Sequence, residues 1–241
     1  MKYLKFLAIS CIAAGSLTLG SCNSGAEEKT EEAKKDSGAA KSETTVAPSG
    51  PTSVMLVRHK VADYAKWKPG YDAHDSARVA NGLHGYVVAR GTEDSNTVLI
   101  AMRMDDVTKA KAFGSSKELQ DRMKSLGVVG PPMVDYLELV LNDTAAIQAT
   151  TRVIIRHKVK EWDAWKKSFD SHKQTRIDAG MSDRAIGYSV GDNHSVSVVF
   201  AITDQAKADA FMKSQDLKDK MKEAGVEGPP DIFYYKVVQK N

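Results

Sequence analysis

The sequence predicts an α+β protein made of two tandem βαββαβ repeats, which occupy residues 51–142 and 150–241. One observation is a string that occurs twice: "RHKVADYAKWKPGYDAHDSAR" begins at Arg58 and "RHKVKEWDAWKKSFDSHKQTR" begins at Arg156. A second is that residues 52–143 align with residues 150–241 without a gap. Adding 98 to a residue number in the first repeat therefore gives the equivalent residue in the second. Because solenoid repeats are only about 20 to 50 residues long, each copy is expected to be a small domain.

The first strand and the first helix of each repeat have the clearest patterns. Apolar runs rich in β-branched residues predict strands at Val54–Val57 and Val153–Ile155. Helices are predicted to begin at Asp63 and Glu161 and to end at Gly82 and Gly180. Aromatic residues and one histidine recur on one face of each helix. They are Tyr64, Trp67, Tyr71 and His74, and then Trp162, Trp165, Phe169 and His172.

The remaining elements follow in the same order in the two repeats. The second strand is predicted near residues 85–90 and 185–190, and the third at 98–104 and 196–202. Asp106 and Asp204 suit the N-caps of the second helical region. Ser115 and Glu118 resemble a capping box. The phrase Gly-Val-x-Gly-Pro-Pro then ends that region and leads into the last strand, because proline cannot continue a helix.

A βαββαβ unit folds as a four-stranded antiparallel sheet with both helices on one face, the ferredoxin-like arrangement. The third strand is apolar on both faces, since Val98 and Ile100 alternate with Leu99 and Ala101. The face without helices must therefore be covered, and the other repeat is the nearest cover. The sequence predicts that the two sheets pack against each other with the helices outside.

Several motifs in both copies resemble small bacterial proteins of the dimeric α/β barrel superfamily, which includes the antibiotic-biosynthesis monooxygenases and haem-degrading enzymes. The motifs are Arg-His-x-Val, Trp-Lys, Asp-x-His-x-x-x-Arg, Ala-Phe and Gly-Val-x-Gly-Pro-Pro. They cover Val54–Leu141 and Val153–Gln239. The resemblance implies one eight-stranded barrel in which the two repeats substitute for a homodimer. The catalytic triads of the characterised monooxygenases have no residue-by-residue counterpart in these motifs.

The segment before the repeats predicts export and a lipid anchor. Residues 1–21 have two early lysines and an apolar run that is too short for a permanent membrane span, as in secretory signals. The run ends in Leu-Gly-Ser-Cys, which resembles the lipobox of bacterial lipoproteins and implies lipidation of Cys22. The alternative is an ordinary signal in which Cys22 has no role. The prediction places the protein in the bacterial cell envelope, with the outer membrane favoured over the inner.

Composition limits the other classes of partner. Residues 22–50 are mainly Ser, Gly, Ala, Glu and Lys, which predicts a flexible tether. The net charge is +3 with both signs interspersed, so nucleic-acid binding is not supported. The two cysteines lie at positions 11 and 22, which leaves none for a disulfide or a thiolate metal site in the repeats.

The resemblance implies ligand pockets between the helices and the sheet of each repeat. The candidate ligand-binding residues are His59, Trp67, Tyr71 and Arg78 in the first repeat, and His157, Trp165, Phe169 and Arg176 in the second. His74 and His172 are the candidate acid/base residues, because imidazole titrates near neutral pH. The alternative is structural: the histidines bond to backbone, and the arginines pair with carboxylates such as Asp72, Asp75, Asp170 or Asp178.

Two questions about this site stay open in the sequence. Strand alternation puts His59 with Met55 and Val57, and Arg58 with Val54 and Leu56, but alternation alone does not decide which set faces the helices. Neither a zinc motif nor a phosphate loop occurs, so no metal is predicted and the cofactor is left unknown. A metal held by His59 and His74, or haem on His74, is disfavoured.

Three functions fit these observations. The favoured one is a lipid-anchored envelope protein that binds a small apolar or anionic compound. A second is a cofactor-independent monooxygenase-like or isomerase-like enzyme that uses the paired histidines. The third is a structural envelope scaffold without a small-molecule site. Export favours the first and third, because diffusible redox partners are scarce outside the cytoplasm.

Overall fold

The computed structural model describes residues 52–241, which form two repeats of identical element order. The first contains β1 (Thr52–Val61), α1 (Tyr64–Ala73), α2 (Asp75–Ala80), β2 (Leu83–Gly91), β3 (Thr97–Met104), α3 (Val107–Gly114), α4 (Lys117–Ser125) and β4 (Val128–Asn142). The second contains β5 (Thr151–Val159), α5 (Trp162–Ser171), α6 (Lys173–Asp178), β6 (Met181–Ser189), β7 (Asp192–Ile202), α7 (Gln205–Lys213), α8 (Gln215–Glu223) and β8 (Val226–Lys240). The predicted signal (1–21), Cys22 and the tether (22–50) lie outside the described residues.

The eight strands form one closed antiparallel barrel in the order β1-β3-β2-β8-β5-β7-β6-β4. The predicted α+β class and the eight-stranded barrel are confirmed. The two four-stranded sheets face each other across the interior, and their edges also pair, β2 with β8 and β4 with β6. This pairing removes the open edges that a four-stranded sheet would otherwise expose.

Strand alternation divides the core into three parts. Met55 and Val57 point outward and pack with Trp67 under the helices of the first repeat. The equivalent residues of the second repeat form a second helix-side core. Val54, Leu56 and Ile154 instead point into the barrel and form the interior core. Each sheet therefore buries apolar side chains on both faces, as the third-strand pattern predicts.

The predicted first helix of each repeat is broken at its histidine. In the first repeat α1 ends at Ala73, His74 has φ −94° and ψ 15°, and α2 begins at Asp75. The carbonyl oxygen of Tyr71, in the last turn before the break, accepts from the amide of His74 at 3.2 Å. Arg78 adds a second hydrogen bond to it by donating from Nη1 at 2.7 Å. The expectation of one continuous helical face through His74 is therefore wrong, and a side-chain hydrogen bond that spacing does not reveal accounts for the difference.

The second helical region is also two short helices. Asp106 caps α3 as predicted, since its Oδ1 accepts from the amide of Lys109 at 2.7 Å. The cap of α4 is Ser116, whose Oγ accepts from the amide of Leu119 at 3.2 Å. Ser115, the predicted cap, instead donates to the carbonyl oxygen of Lys111 at 2.9 Å. The chain thus ends α3 at Ser115 before it starts α4.

The last strand of each repeat begins earlier than the sequence indicates. Residues Gly130 to Pro132 lie inside β4, where the pairing with β1 shifts register between Arg58 and Lys60. Prolines are tolerated at such an irregularity, because no ladder hydrogen bond is required of them there. Among residues 52–241, no helix is long and apolar enough to cross a membrane.

The junction between the repeats gives a test of barrel closure. A Cβ added at Gly187 of β6 would lie 2.3 Å from the carbonyl oxygen of Glu138 on β4. The equivalent residue at the other junction is Ala89, which is fully buried opposite Val237. We expect Gly187→Ala to lower the free energy of unfolding by about 1 to 3 kcal/mol through this overlap. Ala89→Gly, the reverse change at the other junction, is expected to cost less than about 1 kcal/mol.

Urea denaturation followed by tryptophan fluorescence measures both free energies. An unchanged midpoint for Gly187→Ala would contradict the close approach at the β4–β6 junction.

Candidate functional site

Each repeat has a cavity between its helices and the outer face of the sheet. In the second repeat the cavity has a volume of about 130 Å³. In the first it is smaller, at about 70 Å³. The structure brings the five candidate residues of each repeat together around these cavities. They are His59, Trp67, Tyr71, His74 and Arg78 in the first, and His157, Trp165, Phe169, His172 and Arg176 in the second.

The first-strand histidines face the helices, which answers the question that alternation left open. His59 lies edge-on to Trp67, with ring centroids 5.7 Å apart, and His157 lies 5.5 Å from Trp165. Both ring nitrogens of each histidine are buried, and none has a hydrogen-bond partner among the described residues. A buried polar group without a partner costs free energy, so these nitrogens are sites where a ligand's hydrogen bond would be favourable.

Burial controls the charge of these two histidines. It lowers the pKa of His59 and of His157 from 6.5 to about 4, because the imidazolium form loses its hydration. Both rings are therefore neutral at pH 7. A neutral imidazole has one nitrogen that donates and one that accepts a hydrogen bond.

Aromatic rings cover the histidine in each cavity. Trp67 stacks on Tyr71 at a centroid distance of 4.9 Å, and Trp165 stacks on Phe169 at 5.0 Å. The helical spacing of three and four residues places these rings on one face of α1 and α5. The Tyr71 hydroxyl is buried without a partner, whereas Phe169 has no hydroxyl at that position. At this position the wall of the second cavity is thus the more apolar.

The two arginines are engaged within the protein. Arg176 donates from Nε and Nη2 to the two carboxylate oxygens of Asp183 at 3.0 and 2.8 Å, and from Nη1 to the Phe169 carbonyl at 2.6 Å. Its guanidinium carbon also lies 3.6 Å from the centroid of the Phe169 ring. The carboxylate partner is therefore Asp183 on β6, and neither Asp170 nor Asp178, because the barrel places β6 beside α6.

Arg78 has the same role in the first repeat. It donates to the Tyr71 carbonyl, and from Nη2 to Asp75 at 2.8 Å, while it stacks 3.9 Å from the centroid of the Tyr71 ring. Each arginine therefore ties the helix break to an aromatic ring of the wall. Its charge is balanced by a carboxylate, so it is not a free cation for an anionic ligand.

His74 and His172 lie at the rim, where the first helix breaks. His172 Nε2 is 3.4 Å from Asp216, and His74 Nε2 is 3.9 Å from Glu118. Both acidic residues are in the first turn of the last helix of their repeat. No hydrogen bond joins His74 to His59 within residues 52–241, although both line one cavity. No group of three or more potential metal ligands gathers in this part of the chain.

One pair of substitutions explains why the two cavities differ in size. In the first repeat Leu126 packs so closely on Gly70 that a Cβ there would lie 2.1 Å from Leu126 Cδ2. The equivalent residues in the second repeat are Ala224 and Ser168, both of which line the larger cavity. The shorter side chain of Ala224 leaves open the space that Leu126 fills.

The sequence reasoning missed a third cavity, which lies inside the barrel. Its volume is about 350 Å³, and its lining includes Arg103, Arg152 and Arg184. The equivalent residues of the other repeat are Ala201, Val54 and Tyr86. A signal was available in the repeat itself: interior strand positions that are uncharged in one copy carry a cation in the other.

Solved structures share the whole architecture. An anthrone oxidase-like protein is 13% identical and covers 81% of this chain and 95% of its own, with a TM-score of 0.55. A candidate monooxygenase from Fusobacterium nucleatum is 11% identical and covers 80% of this chain and 95% of its own, with a TM-score of 0.54. One repeat is less than half of the chain, so these similarities extend over both repeats.

The chain has the dimeric α/β barrel fold. Here both halves of the dimeric α/β barrel belong to one polypeptide. A candidate monooxygenase from Lactobacillus acidophilus, 12% identical with a TM-score of 0.50, covers 78% of this chain and 94% of its own. No protein-family model and no curated protein matches this chain.

The buried histidines predict a dependence of stability on pH. At pH 7 each ring is neutral in both the folded and the unfolded chain. Below about pH 6.5 the unfolded chain binds a proton at each of these histidines. In the folded chain His59 and His157 stay unprotonated until the pH reaches about 4. Stability is therefore fully present above pH 6.5 and is lost as the pH falls toward 4, by up to roughly 3 kcal/mol for each histidine.

Urea denaturation at a series of pH values between 7 and 4 measures this loss. We expect His59→Leu and His157→Leu each to flatten the curve. Equal slopes in wild type and both leucine variants would show that the rings are not kept neutral by burial.

Proposed function

We propose that the helix-side cavity of the second repeat binds a small, uncharged aromatic compound of one ring with a hydroxyl or carbonyl group. The observation that carries this proposal is the pair of buried, unpartnered ring nitrogens of His157 in an aromatic-lined space of about 130 Å³. An apolar cavity of about 150 Å³ in another protein is known to hold benzene. His157 would supply one hydrogen bond to such a ligand, and Trp165 and Phe169 its apolar contact.

The charges at this cavity favour an uncharged ligand over an anion. Arg176 is neutralised by Asp183, whose carboxylate accepts two hydrogen bonds from the guanidinium. The other cation of the lining, Lys220, lies 2.8 Å from Glu223. Removing a carboxylate from water without a free cation to receive it is costly. Of the small apolar and anionic compounds that the sequence admits, the geometry therefore supports the apolar class.

The first repeat offers a smaller version of the same arrangement. Leu126 fills part of its cavity and leaves about 70 Å³, too little for a six-membered ring without movement. We propose that this half mainly supports the barrel, with His59 as a buried neutral residue. The first repeat thus has the structural role and the second repeat has the binding role.

Catalysis at the second cavity is the alternative. His172 at the rim lies near Asp216, as an acid/base group with a carboxylate partner would. Two structural neighbours are described as a candidate monooxygenase and an anthrone oxidase-like protein, which supports an enzyme of that general kind at the level of fold. His157, with a pKa of about 4, is a weak base and suits ligand orientation better than proton removal.

Substitution of His172 distinguishes catalysis from simple binding. If His172→Ala, alone and combined with His74→Ala, still binds a compound that the wild-type protein converts but no longer converts it, the rim histidine is catalytic. Binding without conversion by the wild-type protein favours the first proposal.

Binding predicts a preference between two compounds of nearly equal size. Phenol carries a hydroxyl where toluene carries a methyl group, and only phenol can hydrogen-bond to His157. We expect the protein to bind phenol about 10-fold more tightly than toluene. His157→Leu should abolish that preference and retain toluene binding, because the apolar wall is unchanged. Titration calorimetry measures both affinities.

A matched pair of variants controls for the position of the site. Ser168→Gly combined with Ala224→Leu reproduces the residues of the first repeat and should abolish binding of both compounds. His59→Leu alters the other cavity and should change neither affinity. Equal binding of phenol and toluene by the wild-type protein would refute the role of His157.

We also propose that the protein is exported and anchored to the cell envelope through lipid on Cys22, as the Leu-Gly-Ser-Cys motif indicates. Several acyl chains on one cysteine give a stable anchor, at about 0.8 kcal/mol for each buried CH₂ group. The full chain expressed in a Gram-negative host should incorporate radiolabelled palmitate and fractionate with membranes. Cys22→Ser should lose both properties, while Cys11→Ser retains them. Labelling that survives Cys22→Ser would contradict the anchor.

A further inference from the structure

The interior of the barrel contains the largest of the three cavities described above, at about 350 Å³. Such a volume is typical of small-molecule sites in proteins. Its middle is apolar. The apolar lining includes Leu56, Leu99, Leu137, Ile154 and Val199. These residues lie on five different strands, so closure of the barrel is what forms the cavity.

The cations of the lining gather at one end of the barrel. All strand pairs are antiparallel, and four steps around the barrel separate β1 from β5, so these two strands run in the same direction. Equivalent residues of the two repeats therefore lie at the same level. Arg152 is at the level of Val54, and Val54 pairs with Arg103. Arg184 lies at the same end, where it pairs with Asp143 in the segment that connects β4 to β5.

The positive charge at this end exceeds the negative charge. The lining contains the cations Arg103, Arg152, Arg184 and Lys240, with Asp143 as its single acidic side chain. Arg184 pairs with that acid at 2.7 Å. Arg152 donates only to the backbone carbonyls of Ala149 and Thr151. Within residues 52–241, neither Arg152 nor Arg103 has a carboxylate at ion-pair distance.

Arg152 is 7% exposed and lies in an unfavourable electrostatic environment. Burial lowers its pKa, the neighbouring Tyr235 raises it, and the positive charge of Arg184 lowers it again. A buried guanidinium beside another cation is stabilised by an anion that bonds to both. Tyr235 is itself buried beside Arg152, and its hydroxyl is a further donor.

The opposite end of the barrel provides a comparison within the same molecule. There Arg58 and Arg156 meet two acids, Asp135 and Asp231, so that two cations face two carboxylates. That end is balanced by the protein alone. The cavity end has three arginines and one acidic side chain, Asp143, so the imbalance is not a general property of the interior.

The repeat also shows that the fold does not require these cations. The equivalents of Arg152 and Arg103 are Val54 and Ala201, both of which are buried in the same barrel. At each of these two positions, one repeat therefore packs without charge where the other carries a cation.

We propose that the barrel interior is a separate binding site for an organic monoanion with an apolar body, whose charged group contacts Arg152, Arg103 and Arg184. Leu56, Leu137 and Ile154 would surround the apolar body. This site is independent of the uncharged ligand proposed for the second repeat, because its lining shares no residue with either helix-side cavity.

Decanoate and decanol are suitable probes, since they share an apolar chain and differ in charge. We expect titration calorimetry of the purified protein to show one decanoate site, with decanol bound at least about 10-fold more weakly. Arg152→Val, which introduces the residue of the first repeat, should weaken decanoate about 10-fold to 100-fold and leave decanol unchanged. Lys60→Ala removes an exposed cation of β1 that does not line the cavity and should have no effect.

Two further variants keep the test decisive. If Arg152→Val does not fold, Arg103→Ala replaces it, because the Arg103 guanidinium makes no hydrogen bond or ion pair among residues 52–241. Ala101→Phe places a ring in the interior and should abolish binding of both probes. The combination of Ser168→Gly and Ala224→Leu closes the other site and should not affect decanoate.

Three results would overturn the proposal. One is no decanoate binding, and another is equal affinity for decanoate and decanol. The third is loss of decanoate binding on closure of the helix-side cavity. None of these results bears on the phenol titration, so failure of this site and failure of the first proposal can be told apart.

Discussion

Pairing of the sheet edges between the repeats is the constraint on which the structure depends. β2 bonds to β8 and β4 bonds to β6, and these two junctions turn two four-stranded sheets into one barrel. Once the barrel is closed, every strand has an inside and an outside. Val54 and Leu56 are then committed to the interior, and His59 to the helices. Closure of the barrel therefore determines both the helix-side cavities and the interior cavity.

Much of this arrangement could be predicted because it depends on local spacing. The offset of 98 residues gives the duplication, and the run of Trp67 and Tyr71 along one helix gives the aromatic wall. His59 lies on the neighbouring strand, so its approach to that wall follows from a βα unit. The candidate residues of each repeat line one cavity because all of them come from the first strand and the helical segment that follows it.

The features that could not be predicted depend on contacts between distant segments. Which side of β1 carries His59 is decided by barrel closure, because both faces of that strand are largely apolar. The break at His74 depends on a side chain, Arg78, that bonds back to the helix end. The partner of Arg176 is Asp183, on a strand whose position is set by the sheet. The interior charges require the register of all eight strands.

The parallel course of β1 and β5 has a consequence for fused barrels. In a dimer of identical chains, a side chain close to the symmetry axis faces its own copy, so an arginine there would confront a second arginine. A single polypeptide removes that restriction, and Arg152 shares its level with Val54. Gene fusion thus allows Arg152 to share its level with Val54, and Arg103 with Ala201, which suits a guest molecule that itself has no twofold symmetry.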